Sequence, residues 1–228
     1  MTYPQVLYED NHLIAVNKRV SDIVQGDKTG DPSLDRIMKA YLKEKYGKPG
    51  NVFLGVIHRL DRPVSGVVLF ARTGKALARM NEQFKSRETE KIYWAVVKNR
   101  PPQEEGHLIH YIVRNRQKNK SFAYGRERTG SKKAELHYRV AGTTGRYWFL
   151  EVRLLTGRHH QIRAQLAAIG SPVRGDLKYG YPRSDPGGGI HLHARKLRFS
   201  HPVGGKEVCI VADPPEDELW RAFLSVSP

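Results

Sequence analysis

A chain of 228 residues with 39% hydrophobic side chains is long enough to bury a sizeable core, and one domain is the default at this length. Its 39 Lys and Arg against 23 Asp and Glu leave a formal charge of +16. That excess points to a polyanion, nucleic acid first and membrane phosphate second. No apolar run approaches the roughly 18 residues of a membrane span, no secretory leader pattern opens the chain, and the single cysteine, Cys209, excludes an intrachain disulfide; a reducing cytoplasm is the expected setting.

In chain order, residues 12–18 (HLIAVNK) read as an early strand. Residues 31–49 read as a helix, because Leu34, Ile37, Met38, Tyr41 and Leu42 recur at helical spacing. Ser33 is placed to cap its start, and Gly47 with Pro49 to end it. A short buried strand, VVLFA, follows at 67–71. Residues 73–86 form a second helix with Leu77, Met80 and Phe84 on one face. Strand patterns then dominate: KIYWAVVK at 91–98, AELHYRV at 134–140 and RYWFLEVRLL at 146–155, rich in β-branched and aromatic residues. A helix over 157–170 closes on Gly170. Strands follow at 193–199 and 206–212, the latter carrying Cys209 as a core residue. The last helix opens on the prolines and acids of PPEDELWRAFLS. Hairpin-like strands outnumber helices without alternating strictly with them, so the expected fold is α+β, a mixed, mostly antiparallel sheet flanked by helices.

Residues 114–133 (RNRQKNKSFAYGRERTGSKK) hold eight Lys or Arg and one acid, Glu127. The central KSFAY reads as a strand with Phe122 and Tyr124 on one side. Aromatic residues interleaved with cations suit base stacking and phosphate neutralisation; a mobile solvated hairpin is the competing reading. The expected organisation is one domain over 1–228 with this basic hairpin as an RNA-binding insertion.

Asp61 sits between Arg59 and Arg62 in HRLDRPVSGVVLFA, a carboxylate among bases. This stretch is followed in order by KIYWAVV, LLTGRHHQIRAQLAAIGSPVRGDLKYG and HLHARKLRFSHP. With these four motifs, spread over roughly residues 8 to 212, the sequence resembles the RluA-type pseudouridine synthases. The resemblance implies isomerisation of selected uridines in ribosomal or transfer RNA, with Asp61 as the catalytic carboxylate. Attack on the sugar and attack on the base both remain open. A carboxylate nucleophile must be ionised, and neighbouring cations favour that form. Isomerisation requires no redox partner, metal or small-molecule cofactor, and the His159-His160 and His191-x-His193 pairs lack the companions of a usual zinc spacing.

The resemblance also implies that Tyr93 stacks on the uracil and moves a proton, and that an aliphatic residue, here Leu192, packs on the opposite face of the base. An arginine of TGRHHQIR is expected to pair with Asp61. Arg163 is the first choice and Arg158 the second, with a phosphate contact as its other role. Reaching the glycosidic bond in structured RNA requires everting the nucleotide. Arg59 is placed either to fill the vacated space or to clamp a phosphate, His58 to support the loop, and Arg62 to contact phosphate. Trp94 is assigned to the core, and Asp176 and Tyr179 to loop support.

Departures from the family pattern are Arg19 and Asp22 where proline and glycine are usual, Val64 for a threonine, and Gln165 for a histidine. The catalytic pattern starts by about residue 8, so RNA selection is expected to come from the catalytic domain itself. A monomer without membrane attachment is expected. Two further readings compete: a non-catalytic RNA-binding or folding protein on the same scaffold, and an RNA hydrolase using histidines.

Overall fold

The computed structural model describes residues 3–26 and 30–226. The chain divides into two compact units, Met1–Thr89 with Ala194–Asp213, and Glu90–His193 with Pro214–Pro228. In both, apolar side chains on alternate strand positions face a helix-covered core, and every strand pairing resolved in register is antiparallel. This is the α+β architecture expected from the sequence.

The first unit contains β1 (Gln5–Glu9), β2 (Leu13–Lys18), β3 (Gly55–Val56) and β4 (Ser65–Ala71), with helices α1 (Leu34–Lys45) and α2 (Gly74–Ser86). It also takes most of β10 (Leu192–Ser200) and all of β11 (Glu207–Val211). Strands run in the order β1-β2-β4-β10, with β11 beside β10 and β3 beside β4. One face buries Leu13, Ala15, Val67, Leu69 and Ala71 with Met80 of α2 and Leu197, Phe199 and Ile210. The Thr73 hydroxyl caps α2 by accepting the Ala76 N–H. Gly66 has φ +115°, and a Cβ there would stand 2.3 Å from the Ala194 carbonyl oxygen. The close approach of β4 and β10 therefore requires glycine.

Two local expectations need correction here. Ser33 occupies the N-cap of α1, but its hydroxyl bonds the Asp35 carboxylate instead of capping the backbone. Cys209 is exposed on β11, not buried: along Glu207–Val211 only Ile210 is buried, so the cysteine falls on the solvent face.

The second unit is a five-stranded sheet in the order β5-β9-β8-β6-β7: β5 (Glu90–Val97), β9 (Trp148–Leu154), β8 (Lys132–Thr143), β6 (Glu105–Asn115) and β7 (Lys120–Tyr124). Helices α3 (Gln161–Ala168) and α4 (Glu218–Val226) accompany it. Both are shorter than their sequence patterns. His160 adopts φ +52° at the N-cap, so 157–160 form a loop before α3. Asp217 accepts the Trp220 N–H and sets the start of α4 there rather than at the prolines. Trp220 and Phe223 of α4 fill a cluster with Trp94, Val96 and Phe149; the Phe149 and Phe223 rings stack at 4.9 Å. Trp94 is thus core, as expected. None of the described helices is long and apolar enough to cross a membrane.

The basic segment is ordered. Residues 120–124 form β7, paired with β6 from Tyr111↔Tyr124 to Asn115↔Lys120. Fully buried Ser121 ties β7 to the α3 loop. A deletion across 116–131 would therefore remove an integral strand of the sheet, not a solvated appendage.

Phe223→Ala removes a fully buried ring that stacks on Phe149. Its expected cost is about 3–5 kcal/mol, read as a lowered midpoint in denaturant unfolding.

Candidate active site

The Asp61 loop is built around a buried lysine. Lys18 ends β2 with 1% exposure, and its Nζ donates to the carbonyls of Arg19 at 2.9 Å, Arg62 at 3.0 Å and Val64 at 2.7 Å. The Ser21 N–H also donates to the Arg62 carbonyl, at 3.0 Å. An ammonium has three donors, and here each meets one loop carbonyl. Asp61 is half-buried at the start of this turn, and its carbonyl accepts the Val64 N–H at 3.0 Å. Burial pushes the Lys18 ammonium down to about 8, while the Asp22 and Asp61 carboxylates oppose that shift and Arg62 adds to it. Lys18 and Asp61 therefore feel one another's charge. Val64, where the family carries threonine, is buried and holds the turn with its backbone alone.

His58 supports the same segment from the other end. Its Nε2 accepts the Leu69 N–H of β4 at 3.1 Å, and its ring stacks on Phe84 of α2 at 5.1 Å. Arg59 is exposed. Arg62 is exposed too, and its guanidinium meets Asp31 at 2.7 Å.

Tyr93, Arg158, Arg163 and Leu192 belong to the second unit. Tyr93 is half-buried on β5, paired with Val152. Arg163 is 4% exposed on α3 and has an acid partner in Asp176, itself 1% exposed. Nε meets Oδ2 at 2.6 Å and a terminal nitrogen meets Oδ1 at 2.9 Å. The fork is bidentate, which fixes the guanidinium plane. The Tyr179 ring lies 5.0 Å from its carbon. Arg158 is half-buried and donates from Nε to the Lys133 carbonyl at 3.0 Å. Gln161 locks the intervening loop: its Oε1 accepts from the Thr156 hydroxyl and the Arg158 N–H, and its amide donates to the Glu135 carbonyl.

The two histidines before α3 are structural. Burial, with Arg163 and then His159, Lys178 and Arg114 adding to it, pushes His160 down to about 2. The ring is neutral, and its Nδ1 stands 3.0 Å from the Tyr179 hydroxyl. That hydroxyl accepts the Ser121 N–H at 2.9 Å. The hydroxyl thus bridges the His160 ring and the Ser121 N–H. Gln165, in the family's histidine position, donates to the carbonyls of Leu108 and Ala134.

Leu192 is buried at the head of β10, next to His191. The His191 ring lies between Asp185 at 2.7 Å and Asp217 at 3.0 Å and stacks on Trp220. Burial raises the Asp217 carboxyl, but the His191 ring and the N–H groups of Trp220 and Leu219 outweigh it and hold the group below its usual range. Leu192 is thereby anchored to α4 through its neighbour. Lys18, the Asp176 pairing and the Tyr179–Ser121 link were not assigned these roles from sequence. Asp176 and Tyr179 do prove to be loop supports.

The model of the RNA pseudouridylate synthase family matches residues 12–168. The chain belongs to that family. Ribosomal large subunit pseudouridine synthase D of Zymomonas mobilis is 31% identical over 98% of this chain and 73% of its own length. An RNA pseudouridine synthase of Synechocystis is 30% identical over 92% of this chain, which spans 65% of that relative. tRNA pseudouridine synthase C of Vibrio cholerae is 28% identical over 97% and 94%. Among solved structures, human RNA pseudouridylate synthase domain containing 4 shares the fold, with a TM-score of 0.79 at 23% identity over 97% of this chain and 92% of that one. Human RNA pseudouridylate synthase domain containing 1 gives 0.74 at 25% identity, over 96% and 87%. The RluA-type resemblance read from the motifs is borne out by this membership.

Two outcomes follow for this member of the family. Asp176→Asn breaks the buried ion pair with Arg163, and an expected loss of about 3–5 kcal/mol is measured by chemical unfolding. Lys18 is protonated up to about pH 8 when folded and up to its ordinary 10.5 when unfolded. The unfolded chain thus binds more protons between those values, so the lysine's contribution to stability rises with pH across that window. Lys18→Met removes that part of the slope, which unfolding free energies at pH 7.5, 8.5 and 9.5 (about half a window apart) check.

Proposed function

We propose that the chain is an RNA pseudouridine synthase that isomerises specific uridines of ribosomal or transfer RNA, with Asp61 as the nucleophile. The observation that carries the reading is family membership over residues 12–168, with Asp61 inside the matched span on a turn whose carbonyls are held by a buried cation. A carboxylate on a rigid turn needs little reorganisation to attack an everted nucleotide. The C1′–N1 bond breaks, the freed uracil rotates, and C1′ bonds C5 as the carboxylate is released; the C5 proton goes to water and N1 takes one up. No atom is gained or lost and no electron donor is consumed.

Tyr93 takes the uracil face and the proton transfer, and Leu192 the opposite face. Arg163, fixed in plane by Asp176, acts with Asp61, and Arg158 binds phosphate. Arg59 enters the space left by the base. His58 acts through the loop, and Arg62 exchanges Asp31 for a phosphate. The basic hairpin near 114–133 adds to RNA binding. The units work as one catalytic domain, as a monomer in the cytoplasm, without a cofactor.

Tritium release from uridine-labelled cellular RNA tests the chemistry. Asp61→Ala is expected to lower it by roughly 10³-fold or more, as loss of a nucleophile does; activity surviving the substitution contradicts the mechanism. RNA binding by the wild type without isomerisation returns the non-catalytic binding reading. RNA affinity is expected to fall steeply between about 50 and 200 mM salt, because phosphate contacts release counterions. Filter binding across that range measures the slope.

A further inference from the structure

The outer edge of the second-unit sheet carries one exposed and two half-buried aromatic side chains on the face away from α3. Register fixes the sides. On β6, His110 and Ile112 lie on the α3 side: Gln165 of α3 reaches the His110 ring at 3.1 Å, and Ile112 is buried. On β7, Ser121 faces the same way and meets His159. The intervening residues face outward: Tyr111 lies directly opposite Tyr124, and Val113 opposite Phe122. Phe122 is 36% exposed, and Ile109 extends the strip at 42%. Tyr93 is not on this face. It pairs with Val152, which pairs with buried Tyr138, on the side that carries α3.

Cations stand over these rings. Lys120 Nζ lies at the sheet edge, 5.6 Å from the Phe122 centroid and 5.1 Å from that of Tyr179, and the Arg128 guanidinium carbon lies 4.0 Å from that of Tyr124. An apolar strip on a sheet edge is a liability unless something covers it. A covering protein core would favour aliphatic, uncharged surroundings. Here the rings carry cations in a chain of net charge +16. Flat rings with adjacent positive charge match unpaired nucleobases joined by phosphates.

We propose that Tyr111, Phe122 and Tyr124, with Lys120 and Arg128, form a second RNA-binding platform that stacks unpaired bases on the sheet face opposite Tyr93. It rests on RNA being the partner, and it assigns the basic hairpin a defined job: holding single-stranded nucleotides away from the one that reacts. Such stacking tolerates any base, so the platform adds affinity for unpaired RNA and leaves sequence choice to other contacts.

Fluorescence anisotropy with labelled oligouridylate, using the full chain, tests it. Phe122→Ala combined with Tyr124→Ala is expected to weaken binding by roughly 5-fold to 150-fold per ring lost, with the salt slope kept. Phe122→Trp restores or exceeds wild-type affinity, a rescue that a merely structural role does not give. Lys120→Ala lowers the slope of log affinity against log salt by about 0.7, the single-strand value for one phosphate. Should the double variant lose its cooperative thermal transition, Phe122→Ala alone supplies the comparison. Unchanged affinity in the folded variant overturns the platform. So does a wild-type dimer that the substitutions convert to monomer without moving RNA affinity, which would assign the strip to a second copy. Tritium release on the same samples separates the failures: wild type that isomerises RNA while the ring variants bind as before loses only the platform, whereas wild type that neither binds nor isomerises RNA loses both readings.

Discussion

A single buried ammonium organises the loop that carries Asp61. Removing a lysine's charge from water costs several kcal/mol unless its donors are matched, and Lys18 matches them with three carbonyls from two chain segments. Those bonds define where residues 61–64 run. They need no side chain from the loop, which explains why valine at position 64 is tolerated where the family uses a hydroxyl. The lowered proton affinity of Lys18 records the burial, and the proximity of Asp61 works against it. The same arrangement that shapes the turn places a positive charge in reach of its carboxylate.

The second unit solves a similar problem with a different pair. Arg163 and Asp176 neutralise one another inside the unit, and the ring of Tyr179 covers the guanidinium. Tyr179 then spends its hydroxyl on the β7 backbone and on a histidine kept neutral by burial. Burial keeps that histidine uncharged, and its ring shares one hydrogen bond with the phenol. A helix, a loop and a basic strand are joined through one oxygen, and the Lys/Arg-rich segment acquires a fixed orientation that its composition alone does not demand.

Much of the architecture is legible in the sequence because period and punctuation agree. KSFAY is a strand with the bounds its alternation implies, and the Leu77–Met80–Phe84 spacing gives α2. Strand β6 was not anticipated, since Glu105–Asn115 carries apolar residues on both faces and shows no clean alternation. Cys209 was placed in the core by an apolar neighbourhood, although the strand buries the adjacent residue instead. In the candidate site, short motifs single out the candidate residues, but not what holds them. A lysine closing a strand reads as surface charge until carbonyls 44 and 46 positions later fold over it. Likewise, nothing local tells Arg163 that its acid lies 13 residues on. Side chains that act on their own sequence neighbours can be read early; those whose partners arrive by tertiary folding cannot.

Neither unit is a continuous stretch of chain. The first needs residues 194–213 to supply β10 and β11, and the second needs α4, which follows them. Trp94 therefore waits for Trp220 and Phe223, more than a hundred positions downstream, before its cluster can close. On the ribosome, the five strands of the second unit emerge well before their aromatic lid, the nine-residue helix α4, so neither half can be excised as a simple fragment.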